Sequence, residues 1–197
     1  LSSTLHYQRD SFFHWLQYFV LFVSCGRLTL LNYLWKKGRN VPFWKLVAGM
    51  AYFYGLIAAA LVLNPSAALV VFVIPTLIAW FGLMAGNWTQ HAFVDATDPN
   101  NPYKNSITVI NSVYNKRCFN DGYHIGHHQH PARHWTQMPA DFLARRQEYG
   151  QQDAIVFRAL DYQLIWFLLM FKRYDVMARF FIDMNQESPR SKEQIIA

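Results

Sequence analysis

Acidic residues are absent from Ser11 to Val94, and basic residues are absent from Leu46 to Tyr103. Only 15% of the 197 residues are charged, against about 25% in an ordinary soluble domain. A water-facing surface needs more charge than this, so the deficit points toward lipid. Cysteine is also scarce. Cys25 and Cys118 are far apart and form no CxxC pair, which excludes a disulfide framework and fits a reducing face. No basic stretch followed by an apolar core opens the chain, so Leu1-Ser-Ser-Thr is not a signal peptide; a processed or truncated start is expected. The net charge is +6, but the basic residues lie beside apolar runs rather than in clusters with exposed aromatics. That placement marks membrane flanks and speaks against nucleic acid as a partner. There is no internal repeat and no low-complexity segment.

Apolar residues fill the space that charge leaves: 53% are hydrophobic and 17% aromatic. The length fits one domain. Leu46 to Leu63 is an uncharged run of eighteen residues. After the turn signal Asn64-Pro65-Ser66, Ala67 to Gly86 gives twenty more, with Pro75 in the middle. Each run is close to the length that crosses about 30 Å of hydrocarbon, and a proline is tolerable in such a helix although it should kink it. A buried hairpin of a soluble protein is the competing reading; two such runs back to back argue against it. Arg27, Lys36, Lys37, Arg39 and Lys45 precede the first run, and Lys104, Lys116 and Arg117 follow the second. Because positive charge stays on the cytoplasmic side, both ends of the hairpin are expected to face the cytoplasm. The expected fold class is therefore all-α: an integral membrane hairpin (46–63 and 67–86), interfacial helices, and a cytoplasmic helical cap over 89–184.

Two further segments have weaker signals. Ser11 to Trp35 is apolar but interrupted by His14, Gln17, Arg27 and Asn32. It is read as an amphipathic helix lying in the interface, with a third span as the alternative. In Ala154 to Phe171, Phe157, Leu160, Leu164, Phe167 and Phe171 recur at a spacing that makes one helical face, expected to pack on the cap. The tail from Asn185 is polar and expected to be loose.

Histidine spacing carries the chemistry. Asp121-Gly-Tyr-His124-Ile-Gly-His127-His128 places three imidazoles at i, i+3 and i+4, on one side of a helix. Converging imidazoles are what iron, zinc, copper or nickel requires. Asn87-Trp-Thr-Gln-His91 sits where the second run reaches the same membrane side, with Asn87 and His91 also at i, i+4. Alone that pair could be a helix-end cap. His130 and His134, in QHPARHW, are read as rim or surface, with a supporting role around the metal as the alternative. Asp121 and Asp95 could accept ligand N–H bonds or simply cap helices. Trp88, Trp135 and Tyr123 could line an acyl tunnel or be ordinary interfacial aromatics. Arg145 and Arg146 could dock an acidic partner or be a solvated basic loop. A soluble HxxHH protease is poorly supported, since no Glu stands beside the first histidine.

On these residues the chain resembles the membrane fatty acid desaturase superfamily over nearly its whole length: NxxxH (Asn87, His91) at the end of a span, HxxHH (His124, His127, His128) beyond it, and the hairpin before them. The resemblance implies a non-haem di-iron centre with His91, His124, His127 and His128 as direct, catalytic ligands and Asn87 as a weak or water-bridged one. It implies oxygen-dependent removal of two hydrogens from adjacent methylenes of an acyl chain in lipid metabolism. A hydroxylase or other oxygenase of the superfamily, or a catalytically incomplete membrane protein, is the alternative. It also implies a lipid or acyl substrate, an electron-donor protein such as cytochrome b5 or ferredoxin, and a multi-pass location, in the endoplasmic reticulum if the source is eukaryotic. Members carry HxxxH-type and HxxHH boxes before the point that Leu1–Asp10 resembles. His6 and His14, at i and i+8, do not replace them. The sequence is accordingly expected to be a C-terminal piece that does not assemble two irons by itself.

Overall fold

The computed structural model describes residues 6–185 and 188–196. It is mostly helical, with three long apolar helices and one small sheet. The chain divides into two compact units, one of Leu16–Met84 and the other of Leu1–Trp15 with Ala85–Ala197.

The long helices follow the charge-free stretches. Helix α1 (Phe12–Lys36) is 25 residues, α2 (Asn40–Leu63) is 24, and α3 (Pro65–Gln90) is 26. All three are long and apolar enough to cross a membrane, α1 being the least apolar. The two expected runs lie within α2 and α3. The segment read as an interfacial helix is one continuous helix, with large apolar side chains exposed along its length, from Phe12 and Phe13 through Leu21 and Leu28 to Trp35.

Local chemistry sets the ends of these helices. Gly38, at φ 63°, provides the left-handed residue that stops α1. Asn64 starts α3 by accepting the Ala67 N–H at 3.0 Å, with Pro65 at the first helical position. Pro75 brings no N–H to the helix, and the backbone just before it widens into a π segment over Leu69–Val73, where Ile74 N–H donates to the Leu69 carbonyl. The expected disturbance at Pro75 is thus taken up as a π segment. The 16–84 unit contains no carboxylate. Its Arg27 guanidinium lies over the Trp80 ring at 4.1 Å and the Tyr54 ring at 5.6 Å, and donates to the Val23 carbonyl at 3.2 Å. Aromatic faces and a backbone oxygen are the partners available to a cation in such surroundings.

In the other unit the chain after α3 turns through α4 (Pro102–Asn105), β1 (Thr108–Ile110), α5 (Val113–Arg117) and α6 (His124–Gln129). A 3-10 turn (Trp135–Gln137) leads into α7 (Met138–Ala144) and α8 (Arg146–Gln151). Then come β2 (Val156–Arg158), α9 (Tyr162–Met170), α10 (Tyr174–Met177), β3 (Phe181–Ile182) and α11 (Lys192–Ile196). Strand β2 is central, parallel to β1 and antiparallel to β3. Tyr103, Ile125, Phe142, Tyr149, Ala154, Val156 and Met184 form the core beneath it.

Two expectations need correction here. Ala154 to Phe171 is not one helical face. It is a strand, a left-handed residue (Ala159, φ 60°) and then α9, which begins only where Asp161 accepts the Leu164 N–H at 2.7 Å. The buried face of α9 is Tyr162, Ile165, Trp166 and Leu169, while Leu164, Phe167 and Phe171 are exposed. The tail is not wholly loose either. Arg190 binds the Asp183 carboxylate through its backbone N–H, Nε and Nη2, and α11 follows.

Candidate metal centre

Helix α3 ends at Gln90, and His91 stands just past its last turn. Backbone and side chain both fix that end. Gln90 accepts the Ile107 N–H at 3.0 Å through its carbonyl, and its amide donates to Asp121 Oδ2 at 3.0 Å. The Asp121 oxygen also accepts from the Tyr114 hydroxyl at 2.6 Å. The chain then folds back so that the Asn105 carbonyl lies 2.7 Å from His91 Nδ1. A carbonyl can only accept, so Nδ1 carries the proton and the Nε2 lone pair is left to face inward.

The second contribution comes from the short helix α6. Ile125 is fully buried in the core, which fixes how α6 can rotate about its axis. The loop before it is closed by a staple. Buried Asn115 donates to the Val109 carbonyl and accepts the Gly122 N–H, both at 2.9 Å, while Val109 N–H donates to the Gly122 carbonyl at 2.8 Å. A Cβ on Gly122 would stand 2.1 Å from Asn115 Oδ1 and 2.7 Å from the Val109 carbonyl. Only glycine lets the strand and the loop approach so closely. The Tyr162 hydroxyl, from α9, donates to the same Gly122 carbonyl at 3.0 Å.

Together these elements bring three imidazoles to one point. His124 Nε2 lies 3.3 Å from His91 Nε2 and 3.1 Å from His128 Nε2. All three ligand atoms lie within 4.8 Å of one another. Nitrogens bound at about 2.1 Å to one ion stand roughly 3.0–3.4 Å apart, so the two spacings from His124 match those around a single first-row metal. Burial, with neighbouring His91, His128 and His127 adding to it, pushes the His124 pKa down to about 2. Burial likewise lowers His128, to about 4, and lowers His91. All three are therefore neutral at ordinary pH, which is the state that binds metal.

The remaining expected residues are placed less centrally. His127 is exposed, its ring stacked beside His124 at 5.7 Å and 5.9 Å from His128, outside the three-nitrogen cluster. Asn87, one turn before His91, is exposed on α3. Asp121 and Asp95 meet none of these histidines through the hydrogen bonds they form. Asp121 orients Gln90, and Asp95 makes a local turn with Thr97. Trp88 is fully buried and donates to the Arg9 carbonyl at 2.8 Å, so it ties down the N-terminal segment. Trp135 packs on Phe119, and Tyr123 on Phe142. Arg145 is half-buried. It is engaged by Asp141, Gln129 and His130. Arg146 is exposed, and so is His134, bonded to Thr136. His14 accepts the Gln8 N–H, and His6 packs on Tyr7. The Asn105 carbonyl had no sequence signal, because any residue type could supply it.

A profile of the fatty acid desaturase family matches residues 2–159, most of the chain and both histidine motifs. The chain belongs to the fatty acid desaturase family. No curated protein and no solved structure matches it.

The cluster makes a pH prediction for this desaturase-family protein. A lowered imidazole pKa keeps the ligand neutral as pH falls, so protons should not displace metal near the ordinary imidazole value of about 6.5. Bound metal per chain, measured after equilibration across a pH series, should hold through that range and fall only near or below pH about 4. Half-release close to pH 6.5 would contradict the burial described.

Proposed function

We propose that this protein is an oxygen-dependent fatty acyl desaturase that introduces a double bond into an acyl chain through a histidine-rich di-iron centre. Membership of the family supports a desaturase or a related oxygenase. The observation that carries the reading further is the convergence of three neutral imidazole nitrogens on one point, directly after an apolar helix. Iron bound there supplies the oxygen activation and C–H oxidation that no side-chain base could perform on an unacidic methylene.

The chain's own residues prepare that site. The Asn105 carbonyl sets the His91 tautomer, burial keeps His124 and His128 unprotonated, and Ile125 locks the helix that carries them. His91, His124 and His128 would hold one iron. His127, at the edge of the cluster, is available to a second, and Asn87 is a weak or water-bridged ligand. An external electron donor, cytochrome b5 or a ferredoxin, would supply reducing equivalents. In a eukaryote the protein would reside in the endoplasmic reticulum.

The membrane topology belongs to the same proposal. Residues up to Trp15 and residues from Ala85 onward share one compact unit, so the chain between them returns to the side it left. That requires an even number of crossings, although three helices are long enough. Helix α1 has the lowest hydropathy and carries Arg27 and Lys36, so α2 and α3 are the crossing pair and the cap faces the cytoplasm. Single cysteines at Gln8 and Lys37 should be labelled from one face and Ser66 from the other. Labelling of Gln8 and Lys37 from opposite faces would refute this topology.

In the full-length enzyme, His124→Ala or His128→Ala should cut product more than about a hundredfold, beyond what losing a ligand's supporting hydrogen bond costs. The protein should remain folded in the membrane, and His134→Ala should keep most of its activity. Product is read by mass spectrometry of acyl chains. Normal yield from either cluster variant would show that these histidines are not ligands.

A further inference from the structure

Helix α9, with the sequence YQLIWFLLM, is apolar on both sides. Its inner face, Tyr162, Ile165, Trp166 and Leu169, is buried at i, i+3, i+4 and i+7. Its outer face is a second apolar row at i, i+3 and i+7: Leu164 is 45% exposed, Phe167 47% and Phe171, just past the helix end, 74%. A helix that is apolar all round belongs inside a protein or in lipid, and among the described residues this outer row stays exposed.

Two contacts show what lies at that level. The Trp166 ring packs edge-on against Trp15, in the first turn of α1, at 4.6 Å. The Gln163 amide lies 3.5 Å from where a Cβ of Gly86 would stand, on the part of α3 that enters this unit. So α9 rests against both segments through which the long apolar helices join the cap. The charges that follow do not explain the exposed row. Lys172 is 3.6 Å from Asp10, and Arg173 holds both oxygens of Asp175 at 3.0 and 3.1 Å.

We propose that α9 is a membrane-surface anchor, with Leu164, Phe167 and Phe171 seated among the lipid acyl chains at the edge of the bilayer. The seat is apolar, since the neighbouring cations already have carboxylate partners. It lies close to the metal cluster. Tyr162 opens the same helix, donates to the Gly122 carbonyl and has its ring 6.4 Å from that of His124. A helix held by lipid therefore also holds the loop that delivers His124. This inference rests on the membrane reading of α3, and the test separates the two.

Nitroxide labels are placed at Leu164→Cys and Phe171→Cys of the full-length protein, with Cys25 and Cys118 replaced by serine. Val71→Cys in α3 and Arg146→Cys in the cap serve as references. Collision rates with oxygen, which partitions into lipid, and with a water-soluble nickel chelate are measured by power-saturation electron paramagnetic resonance in phosphatidylcholine nanodiscs. The expected result is a high oxygen-to-nickel ratio at Leu164 and Phe171, close to that at Val71 and well above that at Arg146. A nickel rate at Leu164 and Phe171 equal to that at Arg146 overturns the anchor, while a lipid-like Val71 in the same experiment leaves the membrane reading standing. Low access to both reagents overturns it in favour of a covering protein, such as a second copy. A water-like Val71 overturns both.

Discussion

In a half-buried cluster the His124 Nε2 stands at hydrogen-bond distance from both the His91 and the His128 Nε2, and the lone pairs of all three must be satisfied. The Asn105 carbonyl takes the only ring proton of neutral His91, so its Nε2 can only accept. A proton on His124 Nε2 could serve one neighbour but not both. A metal cation serves all three at once, without charging any ring. Much of the surrounding architecture keeps this convergence in place. The Asp121 bond to Gln90 and the Ile107 bond back to Gln90 fix the end of α3. The Asn115 staple and the missing Cβ of Gly122 aim the loop before α6. Ile125 holds the helix itself in the core.

The long helices were legible in the sequence because lipid demands an unbroken apolar run, and such runs stand out once charge is counted. Within HxxHH, helical periodicity brings His124 and His128 together at i and i+4, whereas Asn87, at the same spacing from His91, stays exposed. The same periodicity misled after residue 154. Apolar spacing cannot show a left-handed Ala159 or an Asp161 cap, so a strand and a short helix looked like one long face. It also could not show which of two apolar faces of α9 meets the core. Within the box, spacing treated His127 and His128 as equals. Only the seating of Ile125 decides that His128 turns inward and His127 outward. The partner of His91 was invisible for a different reason, since a backbone carbonyl leaves no mark on residue identity. Arg145 looked like a free surface cation because Gln129 and His130 meet it only through the packing of α7 on α6, although Asp141, four residues earlier, was within reach by helical spacing.

The apolar unit obeys a related economy. It contains no acid, so Arg27 is met by the Trp80 and Tyr54 rings and by a backbone carbonyl. Such an arrangement tolerates one cation among apolar helices without a compensating carboxylate. It also joins α1 to α2 and α3 by side-chain contact.

In the proposed function His91, His124 and His128 hold iron together. Anomalous scattering at the iron edge, from crystals of the full-length protein, tests it most directly. The expected result is a peak between the three Nε2 atoms, at about 2.1 Å from each, the usual metal–imidazole length. Iron bound elsewhere in the protein, with these three nitrogens left hydrogen-bonded to one another, would contradict it.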